Sequence, residues 1–188
     1  MNEKFTLKDG RFVDIKRLFK SDYELNNNYE FVHNWLRKVS KFLAKGFKEE
    51  NLEKDKKELY NIFSNDKMSI FIGALFEKRI IASASLKLNP SNEKESHIGT
   101  WGIAIHPNFQ NQGLGVELLT LLEKIAKEKG IKKLEAEYYD GNKSAEILYL
   151  EKMKYTVEGR KKYTGLLNDG TYADKILIGK FIDKTLKV

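Results

Sequence analysis

The sequence contains no cysteine and no long apolar run, and these two absences exclude several classes of protein. Without cysteine, the 188-residue chain cannot form disulfides, thiolate metal sites or a cysteine nucleophile. No apolar stretch approaches the roughly 18 residues of a membrane-spanning helix. Residues 1–4 and the alternating residues after them do not resemble a signal peptide. We therefore expect a cytoplasmic protein that has no membrane partner.

The net charge of +7 is consistent with several kinds of partner. A basic surface can serve nucleic acid, a membrane or an anionic cofactor. Lysines alternate with glutamates in residues 49–58 and 123–133, a pattern typical of solvated helix faces with i,i+4 pairs. No arginine-rich stripe or aromatic-basic RNA motif is present. The charge therefore does not favour a nucleic-acid partner.

The order of the predicted elements indicates a chain that mixes strands and helices. Its length and its 41% apolar content are typical of one globular domain over residues 1–188. The first helix is expected to begin at an N-cap, Ser21 or Asp22, and to carry apolar residues up to Leu43. Further helices are predicted at residues 50–63, 113–129 and 142–153, and strands at residues 5–8, 12–17, 68–76, 79–88, 97–106, 131–139, 155–167 and 171–182. This order predicts an α/β (α+β) fold with a mixed, mostly antiparallel central sheet and helices on both faces.

A short motif between a β-branched run and a helical one carries the strongest functional signal. Pro107 is followed by Gln110-Asn111-Gln112-Gly113-Leu114-Gly115. The two glycines let backbone N–H groups approach an anion, and the helix that begins there adds unpaired donors and the positive end of its dipole. The spacing is neither that of a P-loop nor that of a dinucleotide fingerprint. Plain turn glycines are the alternative.

This motif resembles the pyrophosphate loop of the GNAT family of N-acetyltransferases. A second segment, from Asn142 to Tyr155, resembles the family signature Asn-x-x-Ala-x-x-Leu-Tyr-x-Lys-x-Gly-Phe. Lys154 stands where the family has glycine, so we expect a different helix end there. The resemblance covers nearly the whole chain. It implies the acyl-CoA N-acyltransferase fold and transfer of an acetyl group from acetyl-CoA to an amine, with no metal ion.

The resemblance also assigns the cofactor side of the site. Backbone groups of the strand would pair with the pantetheine arm, and an N–H near Ile103 would polarise the thioester carbonyl. Tyr149 would be the general acid that protonates the leaving thiolate; the alternative is a core aromatic residue. The predicted cofactor-binding residues are Ile103, Ala104, Ile105, Gln110, Asn111, Gln112, Gly113, Leu114, Gly115, Asn142 and Tyr149.

The general base is assigned to Glu137. Glu135 and Glu137 lie on one face of a predicted strand. Glu137 falls where the ribosomal-protein alanine acetyltransferases, a branch of the family, carry a catalytic glutamate. His97 and a water relay are the two reserves; His97 and Glu95 lie at the mouth of the preceding strand. A solvated glutamate paired with a lysine is the alternative reading of Glu137.

The acceptor pocket is expected between residues 22–63 and residues 158–175. Asp22, Glu24 and Glu30 could face a cationic amine or water. The basic hairpin around Arg160 and Lys161 would repel a polyamine if it lined the pocket. This favours a peptide N-terminus, an amino acid or a small amine with a nearby carboxylate. A non-catalytic acyl-CoA-binding regulator is the alternative function, and a homodimer through the terminal strands is common among relatives.

Overall fold

A computed structural model describes residues 2–64 and 69–183, and an eight-stranded sheet organises them. Its strands are β1 (Asn2–Thr6), β2 (Phe12–Leu18), β3 (Ser69–Phe76), β4 (Arg79–Leu88), β5 (Ile98–Ile105), β6 (Lys133–Tyr139), β7 (Thr156–Leu166) and β8 (Tyr172–Phe181). The helices are α1 (Lys20–Glu24), α2 (Asn28–Val39), α3 (Leu52–Phe63), α4 (Leu114–Glu128) and α5 (Lys143–Glu146), which a π-helical turn, Ile147–Lys152, extends. Short 3-10 turns lie at Leu25–Asn27, Ser40–Phe42, Glu49–Asn51 and Pro107–Phe109.

The sheet has the order β1-β2-β3-β4-β5-β6-β8-β7, and only β5 and β6 run parallel. The predicted mixed, mostly antiparallel sheet is therefore confirmed. β5 and β6 pair over a short stretch, in which residues 98–100 face residues 133–135. Within the described residues no strand pairs with the later half of β5 on this side, so the two strands diverge and leave an opening in the sheet.

Helices cover both faces of the sheet, as predicted. On one face α4 buries Leu118 and Leu122 against the central strands. On the other face α2 buries Val32 and Trp35, and the Trp35 indole N–H donates to the carbonyl of Ile80 at 3.2 Å. In the part of the chain that is described, no helix is both long enough and apolar enough to cross a membrane.

The first helical region differs from the prediction. Asn26 and Asn27 adopt left-handed backbone angles, with φ of 54° and 52°, and separate α1 from α2. The helix begins at Lys20, so an N-cap at Ser21 or Asp22 is wrong. Asp22 lies inside the first turn, and its carboxylate accepts the Phe19 backbone N–H at 3.0 Å.

The first strand also differs from the prediction at its end. The first strand ends at Thr6 rather than residue 8, because Leu7 and Gly10 are drawn into the turn that follows. Residue 68, the predicted start of the third strand, lies outside the described residues.

The ends of two helices bear on the site. Gly130 has φ +78° and follows the last turn of α4, in the position of a C′ glycine. Lys154 has φ 61°, the left-handed conformation that glycine adopts without strain. The chain keeps a left-handed residue here despite the loss of glycine, so the expectation of a different helix end is not met.

Candidate active site

The loop before α4 presents a row of backbone donors. Gly113 is the N-cap of α4 with φ 88°, and Asn111 is left-handed with φ 61°. Among the described residues, none of the hydrogen bonds involves the backbone N–H groups of residues 111–115. The 15-residue helix α4 adds the positive end of its dipole. The loop therefore has the geometry of an anion cradle, as the sequence predicts.

The β1–β2 turn and β5 hold this loop in place. Gln112 accepts the backbone N–H of Asp9 on its side-chain oxygen at 3.1 Å and that of Lys8 on its carbonyl at 3.4 Å. The Gln110 amide donates to the carbonyl of Ile105 at 3.1 Å. The side chain of Gln112 thus faces the β1–β2 turn, and that of Leu114 lies in the core. For Gln112 and Leu114, the backbone N–H groups are placed to contact a phosphate, whereas the side chains are not.

A cleft of about 580 Å³, the loop cleft, opens beside the donors. Four lysines line it: Lys38, Lys41, Lys143 and Lys152. Lys41 is paired with Asp169 at 2.9 Å and Lys143 with Glu146 at 2.7 Å. The loop cleft therefore keeps an excess of positive charge. The predicted residues that line it are Ile103, Ala104, Ile105, Gln110, Asn111, Gly113, Gly115, Asn142 and Tyr149.

A second cavity, of about 920 Å³, lies on the other face of the opening; we call it the sheet cavity. Its floor is formed by β5 and β6, and residues 42–45 and 47, from the segment after α2, form its roof. Six residues line both cavities: Phe42, Leu43, Ile103, Ala104, Asn142 and Tyr149. The two cavities therefore meet where β5 and β6 have separated.

Tyr149 lies at this junction and is positioned by an unusual helical turn. It belongs to the π-helical turn Ile147–Lys152, in which the Met153 N–H donates to the carbonyl of Leu148 at 3.0 Å. Such turns are rare and often occur at functional sites. The Tyr149 ring contacts Trp101 edge-on, with ring centroids 4.9 Å apart. Burial raises the pKa of Tyr149 to about 12, so the phenol keeps its proton at neutral pH.

Glu137 lines the sheet cavity and also has a lysine partner. Its carboxylate accepts from the Lys175 ammonium at 2.6 Å, and its side chain is 39% exposed. The ion pair of the alternative reading is thus present at a position that borders the cavity. His97 and Glu95 precede the paired stretch of β5, at the closed end of the opening, and line neither cavity.

The three acidic residues expected near the acceptor serve elsewhere. None of them lines either cavity. Each forms an ion pair with a lysine on its own side of the fold: Asp22 with Lys16, Glu24 with Lys20 and Glu30 with Lys56. These carboxylates stabilise the α1–α3 layer.

The last hairpin contributes differently from the expectation. Arg160 is held by Asp140 and Asp174 at 2.8 and 2.9 Å, so its charge is compensated away from the cavity. β7 sends Glu158 and Lys161 into the sheet cavity instead. Glu158 could not be identified from the sequence, because its orientation depends on an irregularity in the pairing of β7 with β8.

The comparisons with known proteins agree with this geometry. A model of the acetyltransferase (GNAT) family matches residues 30–155. A search of curated proteins gives no match. Among solved structures, the ribosomal-protein-S5-alanine acetyltransferase of Vibrio fischeri is 18% identical, with 100% of both chains covered and a TM-score of 0.77.

Two further structures resemble the fold. The first is yncA of Salmonella typhimurium, solved with its cofactor acetyl-CoA; it is 16% identical over 94% of this chain and 97% of its own, with a TM-score of 0.73. The ribosomal-protein-alanine N-acetyltransferase of Brucella melitensis is 19% identical over 89% and 98%, with a TM-score of 0.71. At these identities the structures show a shared fold. Because the family model spans more than half of the chain, the protein belongs to the GNAT acetyltransferase family and is an acyltransferase.

Proposed function

We propose that the protein transfers the acetyl group of acetyl-CoA to a primary amine by direct attack while both substrates are bound. The acceptor classes are a peptide N-terminus, an amino acid or a small amine. One observation carries the proposal: the N–H groups of residues 111–115, which have no partner within the described residues, open into a cleft that joins a second cavity at Tyr149. A diphosphate fits the loop, and an amine could reach the junction from the sheet cavity.

Proximity supplies much of the catalysis. Holding a thioester beside an amine is worth about 7–11 kcal/mol when the geometry is good. The later half of β5 has no strand partner on the β6 side within the described residues, so its backbone can pair with an extended pantetheine arm. Asn142 lines both cavities and would contact this arm or order a water molecule. The backbone N–H near Ile103 would polarise the acyl carbonyl.

Glu137 and Tyr149 are assigned the two proton transfers. As the carbon–nitrogen bond forms and the carbon–sulfur bond breaks, Glu137 accepts the proton that nitrogen loses, and Tyr149 donates one to sulfur. Solvent then restores both residues. Burial raises the pKa of Tyr149, but it also penalises a thiolate in the same place. The difference between the two groups therefore stays closer to its value in water, about 1.5 units.

The demand on the base depends on the acceptor. An α-amino group with a pKa near 8 is about one-tenth neutral at pH 7, a cost of ~1.4 kcal/mol. A lysine-like amine with a pKa near 10.4 costs ~4.6 kcal/mol. A peptide N-terminus thus needs little help from Glu137, whereas an alkylamine needs a carboxylate or a water relay.

The test is release of free thiol from acetyl-CoA across a panel of amines. Tyr149→Phe is expected to lower kcat by about 10²-fold or more, while the Kd for CoA changes little. Tyr155→Phe is the matched control, because that tyrosine is buried and lines neither cavity. Equal kcat values for both variants would remove Tyr149 from the mechanism. CoA binding without thiol release for any amine would favour the acyl-CoA-binding regulator.

A further inference from the structure

The sheet cavity is acidic in a protein whose net charge is positive. Three glutamates line it, together with two lysines: Glu135, Glu137, Glu158, Lys45 and Lys161. The ion-pair partners of these groups are Lys133, Lys175, Asp55 and Glu58. Five carboxylates thus stand against four ammonium groups, while the whole chain carries +7. The loop cleft has the opposite balance, so charge is segregated between the two cavities.

Within the cavity lining, the incompletely neutralised negative charge is located between Glu135 and Glu158. Both carboxylates share one cation, the Lys133 ammonium, at 2.7 and 2.8 Å. Within the described residues, Glu137 is paired with Lys175, and a second pair of carboxylates outside the cavity lining, Asp55 and Glu58, shares Lys45. A cation that enters the cavity therefore meets an incompletely neutralised pair of carboxylates at this point.

The backbone directs Glu158 to this position. It is the extra residue of a β-bulge, because Val157 pairs with Ile178 and Gly159 with Leu177. Bulges of this kind re-aim a side chain. On β8, a Cβ at position 179 would collide with the Glu158 carboxylate, so Gly179 leaves room for it. Two separate features of the hairpin thus admit one carboxylate to the cavity.

The junction with the loop cleft offers a second polar group. Tyr149 is 9% exposed and lines the same cavity. Within the described residues, no hydrogen bond to its hydroxyl is found, and burial is the sole cause that shifts its pKa. The wall of the cavity therefore offers a hydroxyl that is available to a ligand atom.

The strand register sets the distance between the Glu135–Glu158 carboxylates and the junction beside Glu137 and Tyr149. Glu135 faces Thr100 where β5 and β6 are paired. Glu137 follows two residues later on the same face, about 7 Å farther along the strand. The reacting nitrogen, beside Glu137 and Tyr149, would thus lie about 7 Å from the carboxylates of Glu135 and Glu158.

We infer that the acceptor is an amine with a second positive charge, which Glu135 and Glu158 bind while the first nitrogen reacts. The inference rests on the proposed function and names its substrate class. It reverses the sequence expectation, since the basic hairpin brings a carboxylate into the cavity and turns Arg160 away. Lys161 is the one cation of the hairpin that lines the cavity.

Three amines that differ only in their far end test this inference. In 1,4-diaminobutane, pentylamine and 5-aminopentanoate, the same four-methylene amine ends in an ammonium, a methyl or a carboxylate group. Their Kd values are measured by calorimetry on the full chain saturated with CoA. The diamine is expected to bind at least tenfold more tightly than pentylamine, and 5-aminopentanoate more weakly than both. Equal Kd values, absence of diamine binding or preference for 5-aminopentanoate would overturn the inference.

Two variants separate recognition of charge from damage to the fold. Glu158→Gln should reduce the preference for the diamine to less than threefold without changing the Kd of pentylamine. Glu128 is an exposed glutamate at the end of α4. Glu128→Gln removes the same charge and should change neither the preference for the diamine nor the Kd of pentylamine. Lys133→Gln frees both carboxylates and should tighten diamine binding, a gain that damage would not produce. An unchanged preference in Glu158→Gln would contradict the assignment.

Thiol release distinguishes this inference from the proposed function. Release with pentylamine at the same kcat/KM as with the diamine would overturn the inference and leave the acetyltransferase proposal standing. Selective binding of the diamine without thiol release would overturn the acetyltransferase proposal and leave the inference about the second positive charge standing.

Discussion

The two ends of α4 allow a matched test of the phosphate loop. Gly113 before the helix has φ +88° and Gly130 after it has φ +78°. An alanine Cβ at position 113 would meet only Phe5 at 3.5 Å, an ordinary contact, and at position 130 it would meet nothing within 4 Å. Space therefore permits both substitutions. At either position, alanine must adopt the left-handed conformation, which costs about 1–2 kcal/mol.

The cost of the left-handed conformation should appear in a different measurement for each variant. The Gly130 N–H donates to Lys127 and the Ile131 N–H to Ala126, both at 3.0 Å, so the chain after α4 cannot relax without losing bonds. Gly130→Ala should lower the free energy of unfolding by about 1–2 kcal/mol. The Gly113 N–H has no partner within the described residues, so the empty loop can relax. Binding of CoA must then restore the left-handed turn, and affinity should fall by about 5–30-fold.

Calorimetry with CoA and urea unfolding of both variants provide the measurements. The expected pattern is a weaker Kd in Gly113→Ala and a lower unfolding free energy in Gly130→Ala, with the Kd of the latter unchanged. Wild-type affinity in Gly113→Ala would refute the reasoning that the left-handed turn shapes the cradle. Equal losses of affinity in both variants would indicate a general effect on α4 instead.

Two further predictions concern stability. Lys154→Gly removes a left-handed Cβ, worth about 1–2 kcal/mol, against a chain-entropy loss of about 0.5–1 kcal/mol. The free energy of unfolding, measured in urea, should rise by up to about 1.5 kcal/mol, and a decrease would contradict strain at this position. Burial raises the pKa of Tyr149 to about 12 and also raises the pKa values of Tyr23, Tyr29 and Tyr155 above their ordinary value. Because the unfolded chain loses its phenolic protons first, the contribution of these four phenols to stability should be constant up to about pH 10 and fall above it. A urea midpoint that stays flat to about pH 11 would argue against burial of these phenols.

The loop cleft could be predicted from the sequence because its chemistry is local. Gly113 and Gly115 fall between a strand and a helix, and that order alone places N–H donors at a helix start. Asn142 and Tyr149 could be predicted from the second motif, the segment from Asn142 to Tyr155. Only Gln112 and Leu114 needed the structure, since their side chains turn to the β1–β2 turn and the core.

The sheet cavity could not be predicted in the same way, because long-range pairing builds it. The position of Glu158 in the cavity depends on one extra residue in the register of β7 with β8. The roof depends on the break after α2, where continuous helical spacing of apolar residues predicted an unbroken helix. The π-helical turn around Tyr149 differs from an α-helix by one residue, a difference that apolar periodicity does not resolve.

Divergence of β5 from β6 explains why two glutamates on one strand face take different roles in our proposals. Glu135 stands opposite Thr100, where the strands are still paired and the sheet is closed. Glu137 follows where the strands have separated and the two cavities meet. In our proposal the proton acceptor must reach the junction, which favours Glu137 over Glu135, although Lys175 holds one of the Glu137 oxygens. Glu135 remains at the closed end with Glu158 and Lys133, where a carboxylate can bind charge but cannot approach the reacting carbon.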